Sequence, residues 1–160
     1  MPLTTSAQLI YNDDCTLKQL TNLFMSANQP VAKKQNSYFI NTITEDLKLR
    51  IDKEGLATLL NSMFYIMASC SRDTCIMISV DLFMDVVQLH MKDLSTFNSY
   101  ALISKRQHLQ QLAEKIGGHL TITSEHPRET TITFSFTNES TRPVSGHYQG
   151  TQNTNRFAYA

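Results

Sequence analysis

The sequence predicts an α/β fold: a two-layer sandwich with a mixed, mostly antiparallel sheet and about three helices on one face. Three observations lead there. Strand-like and helix-like stretches run in the order strand, helix, strand or strands, helix, two strands, helix, two strands. Each helical stretch carries a single apolar stripe, and most strand stretches have one apolar face. One-sided strands and one-sided helices bury their apolar faces against each other and leave the outer sheet face to water.

The elements follow in order. "AQLIY", residues 7–11, has the composition of a short strand. In "TLKQLTNLF", Thr16 and Gln19 stand at capping-box spacing, and Leu17, Leu20 and Phe24 recur at helical intervals, which predicts a helix over about 15–28. Pro30 and the polar "KKQN" are expected to end it. "SYFINTI" alternates as a strand, with Tyr38, Ile40 and Thr42 facing away from Phe39 and Ile43. "LKLRI" repeats the alternation, with Leu47, Leu49 and Ile51 on one side.

Asp52 opens the clearest helix, in which Leu56, Leu59, Leu60, Met63, Phe64 and Met67 form one broad stripe. "CIMISVDLF" and "DVVQLHM" are separated by little more than Met84 and Asp85, so they predict an antiparallel hairpin. The stretch "KDLSTFNSYA" is expected to be a loop, which places Asp93 on it. A third helix follows, with Leu102, Leu109, Leu112 and Ile116 inward. Leu120 and Ile122, then Ile132, Phe134 and Phe136, alternate on either side of the turn "SEHPRE" and predict a closing hairpin. Residues 1–137 are thus assigned to one domain, and the asparagine-rich 138–160 to a C-terminal tail.

Composition excludes several function classes. Fourteen basic and fourteen acidic side chains cancel, unlike the strongly basic surface of a nucleic-acid binder. The most apolar stretch, "LATLLNSMFYIMASC", is interrupted by Asn61 and Ser62 and is too short to span a bilayer, so no membrane insertion is expected. Cys15, Cys70 and Cys75 make an odd count with no signal peptide, which points to reduced thiols in a cytoplasmic setting. "CSRDTC" has no histidine or further cysteine close enough for a zinc site. P-loop, dinucleotide and Ser-His-Asp signatures are not found.

The element order, with "LQQLAEKIGGHLTITSEHPRETTITFSF" and "LRIDKEGLATLLNSMFYIMAS", resembles the ATP-binding domain of sensor histidine kinases and their GHKL relatives, which share the Bergerat sandwich. The resemblance spans residues 7–137 and rests on the structural motifs. In that family a pair of asparagines four apart on the long helix serves the nucleotide, the second helping to hold Mg²⁺. Ser62 and Ile66 stand at those positions here, and Asn61 is one step off, about 100° around the helix. Ile66 has no oxygen to offer Mg²⁺. The family's adenine-reading aspartate corresponds to Asp93, but Ser95 and Phe97 replace the glycines that follow it. Its second glycine box corresponds to Ile103–Arg106.

No glycine lies between Gly55 and Gly117, whereas close backbone approach to phosphate usually needs residues without Cβ. The Gly117-Gly118 pair follows the last apolar residue of a helix and precedes a strand, so it is expected to be a turn and not a phosphate cradle. None of His90, His108, His119, His126 or His147 has the acidic and proline neighbours of the family's phosphoacceptor.

These residues imply a non-catalytic, pseudokinase-like interaction module of two-component signalling. It would contact a protein partner or other domains of a signalling protein, and could form the cytoplasmic end of a larger sensor. No cofactor is expected, Ile66, Met67, Phe97 and Tyr100 would fill the former nucleotide space, and a homodimer stays open. The alternatives are a divergent ATPase or kinase that still takes ATP and Mg²⁺, and an unrelated sandwich that shares only the element order.

Overall fold

A computed structural model describes residues 12–44, 46–94, 99–126 and 129–139. Helices α1 (Leu17–Lys34), α2 (Lys53–Cys70) and α3 (Ser99–Lys115) accompany strands β1 (Tyr38–Asn41), β2 (Cys75–Phe83), β3 (Val86–Asp93), β4 (His119–His126) and β5 (Glu129–Thr137). The five strands form one sheet in the order β1-β2-β3-β5-β4. Only β1 and β2 are parallel; the other three pairings are antiparallel. This is the mixed, mostly antiparallel sandwich expected from the sequence. The strand expected at 7–11 lies outside the described residues.

Helix α1 begins at the expected capping box: Gln19 N–H donates to Thr16 Oγ1 at 3.2 Å, and Thr16 N–H donates to Gln19 Oε1 at 3.0 Å. It does not stop before Pro30 but continues through it to Lys34. A proline removes the hydrogen bond to the carbonyl four residues earlier, here Ser26. Ser26 and Pro30 are both exposed, so water can serve that carbonyl, while Ala32 beyond it is fully buried. Asn41 ties β1 to this helix, donating to Asn22 Oδ1 at 2.7 Å and Thr21 Oγ1 at 3.0 Å.

"LKLRI" keeps its alternation but is not a strand of the sheet. Leu49 is buried and Leu47 and Ile51 pack against the core, as their spacing implies. The backbone, however, bonds to the entry of α1: Leu17 N–H donates to Leu47 O at 2.8 Å and Leu49 N–H to Cys15 O at 3.2 Å. Only an isolated Thr16–Lys48 bridge results. Alternation reports which side chains are buried, and here the helix cap takes the place of a neighbouring strand.

The core lies between the helices and one sheet face. Ile76 and Ile78 of β2, Leu89 and Met91 of β3, and Ile132 and Phe134 of β5 meet the stripe Leu56, Leu59, Leu60, Met63, Phe64 and Met67 of α2, all fully buried. The rings of Phe39 and Phe64 approach to 5.1 Å, tilted by 59°. Helix α2 packs tightly on the end of α3 because Gly55 has no side chain: a Cβ there would overlap Ile116 Cγ2.

Helix α3 ends as expected at the glycine pair. Gly118 N–H donates to Ala113 O at 2.9 Å and Gly117 N–H to Glu114 O at 3.0 Å, a Schellman closure with Gly117 at φ +78°. Gly118 is needed for a different reason, since a Cβ would collide with the Phe134 ring. Both glycines are therefore structural. At the far end of β5, buried Asn138 donates its N–H to Asp85 O at 2.8 Å. Its side chain accepts from Arg50 N–H at 2.6 Å and donates to Lys48 O at 2.9 Å.

Candidate functional site

The residues singled out from the sequence converge on the C-terminal half of α2 and the end of β3. On α2, Ser62 is half-buried, Ile66 is 7% exposed and Met67 is fully buried, the last two within the hydrophobic core. Asn61, one step around the helix, faces α1, where its Oδ1 lies 3.5 Å from Asn28 Nδ2. Ser95 and Phe97 lie outside the described residues, as does the side chain of Tyr100, whose backbone is in the first turn of α3.

Asp93 is not on a loop. It is the last residue of β3, because β3 is an interior strand and both neighbours extend the ladder that far, Ile76 on one side and Thr130 on the other. Strand alternation turns its side chain to the core face with Leu89 and Met91, so the carboxylate is fully buried. Burying a carboxylate is costly unless it is hydrogen-bonded. Ser71, the C-cap of α2, supplies such a bond: its Oγ donates to Asp93 Oδ2 at 2.6 Å. The Ser71 N–H closes the helix on Met67 O at 3.0 Å, so one residue both ends α2 and holds the carboxylate.

Two thiols flank this pair in sequence. Burial pushes the Cys70 thiol above its ordinary range, and the negative charge of Asp93 pushes it further. Burial likewise raises Cys75; a hydrogen bond with Tyr38 works against this and the charge of Asp93 with it. Among the described residues no cluster of three or more His, Cys, Asp or Glu side chains is arranged to hold a metal ion.

The structure adds a polar row on the open face of the sheet. His90 Nε2 lies 3.0 Å from Asp81 Oδ2, and His90 Nδ1 lies 2.9 Å from Thr133 Oγ1. Lys92 pairs with Glu129 at 3.1 Å, and a depression of about 440 Å³ runs between these side chains, lined also by Ser79 and Met77. No local pattern announces this Asp-His-hydroxyl arrangement, because its members come from three strands: His90 is 9 positions from Asp81 and 43 from Thr133. Thr133 sits in β5, an interior strand with ladders on both sides, so its neighbouring N–H groups are committed and cannot converge on an oxyanion. The row is a surface network and not a nucleophile site. Nothing local singles out Ser71 or Thr130 either: the docking of the α2 C-cap brings Ser71 to Asp93, and strand register brings Thr130 beside it.

No family model matches the chain, and no curated protein matches it in sequence. Solved structures do match in shape. The histidine kinase AdeS of Acinetobacter baumannii superposes with a TM-score of 0.66 at 10% identity, over 78% of this chain and 66% of that one. The nucleotide-free catalytic domain of histidine kinase ThkA gives a TM-score of 0.60 at 13% identity, over 77% of this chain and 92% of that one. ThkA in complex with the response regulator TrrA gives 0.62 at 13% identity, over 78% of this chain and 41% of the matched chain. The order of helices and strands, the mixed five-stranded sheet and these superpositions lead to one conclusion: the chain has the fold of the catalytic, ATP-binding domain of histidine kinases.

Proposed function

We propose that this chain is a non-catalytic interaction module of a signalling system, a pseudokinase-like relative of the histidine-kinase catalytic domain that works by contacting a protein partner. The observation that carries this reading is the state of the two positions aligned with nucleotide chemistry. Ile66, at the Mg²⁺ position of the resemblance, is an apolar side chain packed in the core. Asp93, at the adenine position, is buried and accepts a hydrogen bond from Ser71. A hard cation needs oxygen ligands and an adenine amino group needs an accessible acceptor, so this residue set does not suit Mg²⁺-nucleotide.

A protein partner is supported by the neighbour ThkA, which was solved in complex with a response regulator. The free thiols Cys15, Cys70 and Cys75 suit a reducing, cytoplasmic compartment. Among the described residues no helix is long and apolar enough to cross a membrane.

The competing reading, a divergent Mg²⁺-ATP binder, draws on one observation: a carboxylate is retained at the end of β3 with a buried threonine, Thr130, beside it. Thermal melting with millimolar Mg²⁺-ATP separates the two. A site filled a hundredfold above its dissociation constant would add about 2.7 kcal/mol of stability. The expected result is an unmoved melt and no heat of nucleotide binding by calorimetry. A melt that moves, with saturable binding, overturns the proposal.

A further inference from the structure

Strand β2 is longer than its neighbour β1. The β1–β2 ladder ends at the pair Asn41–Ile78, with a last bond from Thr42 N–H to Ile78 O at 2.8 Å, yet β2 runs on to Phe83. From Val80 to Phe83 it is paired with β3 alone. On the β1 side the even-numbered residues carry the bonds, as Thr74 O and Ile78 O show by accepting from the N–H groups of Tyr38 and Thr42. The same alternation points the N–H and C=O groups of Val80 and Leu82 to that side, where none of the described residues pairs with them.

This bare edge is also apolar. Val80 is half-buried and Leu82 is 45% exposed on the helix face, and Phe83 and Met84 follow at 74% and 85% exposed. An uncovered apolar edge templates pairing with foreign strands, and native sheets cover it. The chain has a strand-like segment to do so in "AQLIY", residues 7–11. The described chain begins one residue later, at Asn12, and hydrogen bonds lead from there to the turn that ends β2. Cys15 N–H donates to Asn12 O at 3.1 Å, Leu49 N–H donates to Cys15 O at 3.2 Å, and Asn138 joins Lys48 and Arg50 to Asp85 of the turn. Five extended residues span about 17 Å, enough to run back along the edge. The C-terminal tail leaves from the same end, but its Phe157 and Tyr159 stand at the far end of the chain, where loop closure costs more. A tethered strand also acts at an effective concentration on the order of millimolar, ahead of a second copy.

We infer that residues 7–11 add a strand to the bare edge of β2, parallel to it, with Leu9 beside Leu82. Parallel is the direction that ends the segment at the turn, where Asn12 is tied. This register sets Ala7 beside Val80, Ile10 beside Phe83 and Tyr11 at Met84, so the exposed apolar side chains of β2 and its turn gain apolar neighbours. Gln8 falls beside Asp81, the one polar residue of that stretch. Gln8 N–H donates to Val80 O and Ile10 N–H to Leu82 O, while Gln8 O accepts from Leu82 N–H. A register two residues nearer the start of β2 is closed, because Gln8 would then need the place that Thr42 holds at Ile78 O. The inference goes beyond the proposed function and stands whether or not nucleotide binds.

Nuclear magnetic resonance of the full chain tests it through amide exchange and cross-strand contacts. Leu82 N–H should exchange slowly, at a rate independent of protein concentration, and nuclear Overhauser contacts should join Gln8–Ile10 to Val80–Phe83. Gln8→Pro with Ile10→Pro removes both donors of the segment, so Leu82 exchange should quicken by about tenfold or more while Ile78 stays protected. Gln8→Thr with Ile10→Val should keep the protection. A Leu82 amide that exchanges freely in the unaltered chain overturns the inference. Protection that survives the proline pair gives the edge to another segment, and protection that grows with concentration gives it to a second copy; either result overturns it too. The contacts are read in the unaltered chain, so they decide the matter even where the proline pair fails to fold, and their absence overturns the inference.

Discussion

Ser71 Oγ donates a 2.6 Å hydrogen bond to Asp93 Oδ2, and both side chains are fully buried. The pair joins the last turn of α2 to the last residue of the central strand β3. Ser71→Ala should therefore lower stability by about 1.5–3 kcal/mol, the range for hydrogen bonds to charged groups. Denaturant unfolding at neutral pH measures this. A loss below about 0.5 kcal/mol would mean that the bond is marginal, and that Asp93 is available for another role.

The glycine positions make a prediction of sign. Replacing glycine by alanine inside a helix normally gains about 1 kcal/mol. Gly55→Ala should instead destabilise, because its Cβ would overlap Ile116 Cγ2 across the α2–α3 contact. Shortening the partner with Ile116→Ala should remove most of that penalty, leaving only the approach of the Cβ to Asp52 Oδ2 at 2.8 Å, which the carboxylate can relieve by turning. A double-mutant cycle in urea reads the coupling, expected at about 0.5–3 kcal/mol. No coupling would mean that the helix contact accommodates the methyl group.

Gly117 and Gly118 should differ in how they can be replaced. Gly117, at φ +78° with open space around it, should tolerate asparagine better than alanine. Gly118 should tolerate neither, since any Cβ meets the Phe134 ring and comes within 2.9 Å of Ser135 O. Melting temperatures of the four single variants check the ranking.

The thiols set an alkaline limit. Burial raises Cys15, Cys70 and Cys75 above the ordinary 9.0, so the folded chain holds these protons to higher pH than the unfolded chain does. The resulting stability is fully present below pH 9.0 and is lost as pH rises through the folded values. Urea midpoints should begin to fall above that pH, and Cys15→Ala should flatten the fall. Midpoints equally alkali-sensitive in the variant would place the effect elsewhere.

Much of the fold was legible because burial leaves a periodic mark. The capping box at Thr16 and Gln19, the stripe on α2 and the alternations of β4 and β5 all appear where periodicity put them. The departures have physical causes as well. Pro30 was expected to end α1, but a proline is tolerated where the carbonyl it orphans is exposed. "LKLRI" has strand-like burial because it packs on the core, while its backbone bonds to a helix entry. The candidate site was only partly legible: Ile66 and Asp93 could be picked out one by one, but no local pattern announces Ser71 as the partner of Asp93.

The sequence by itself determined the two-layer class and the helix that ends at Gly117, since each rests on periodicity and turn chemistry among neighbours within a few positions. Only the tertiary structure decided that Asp93 is a buried strand residue tied to Ser71. It also decided that Asp81, His90 and Thr133 form a row. Those relationships are set by strand register and helix docking. They bring together residues tens of positions apart, and the hydrophobic period that specifies each element carries no information about which residues will face across the gap.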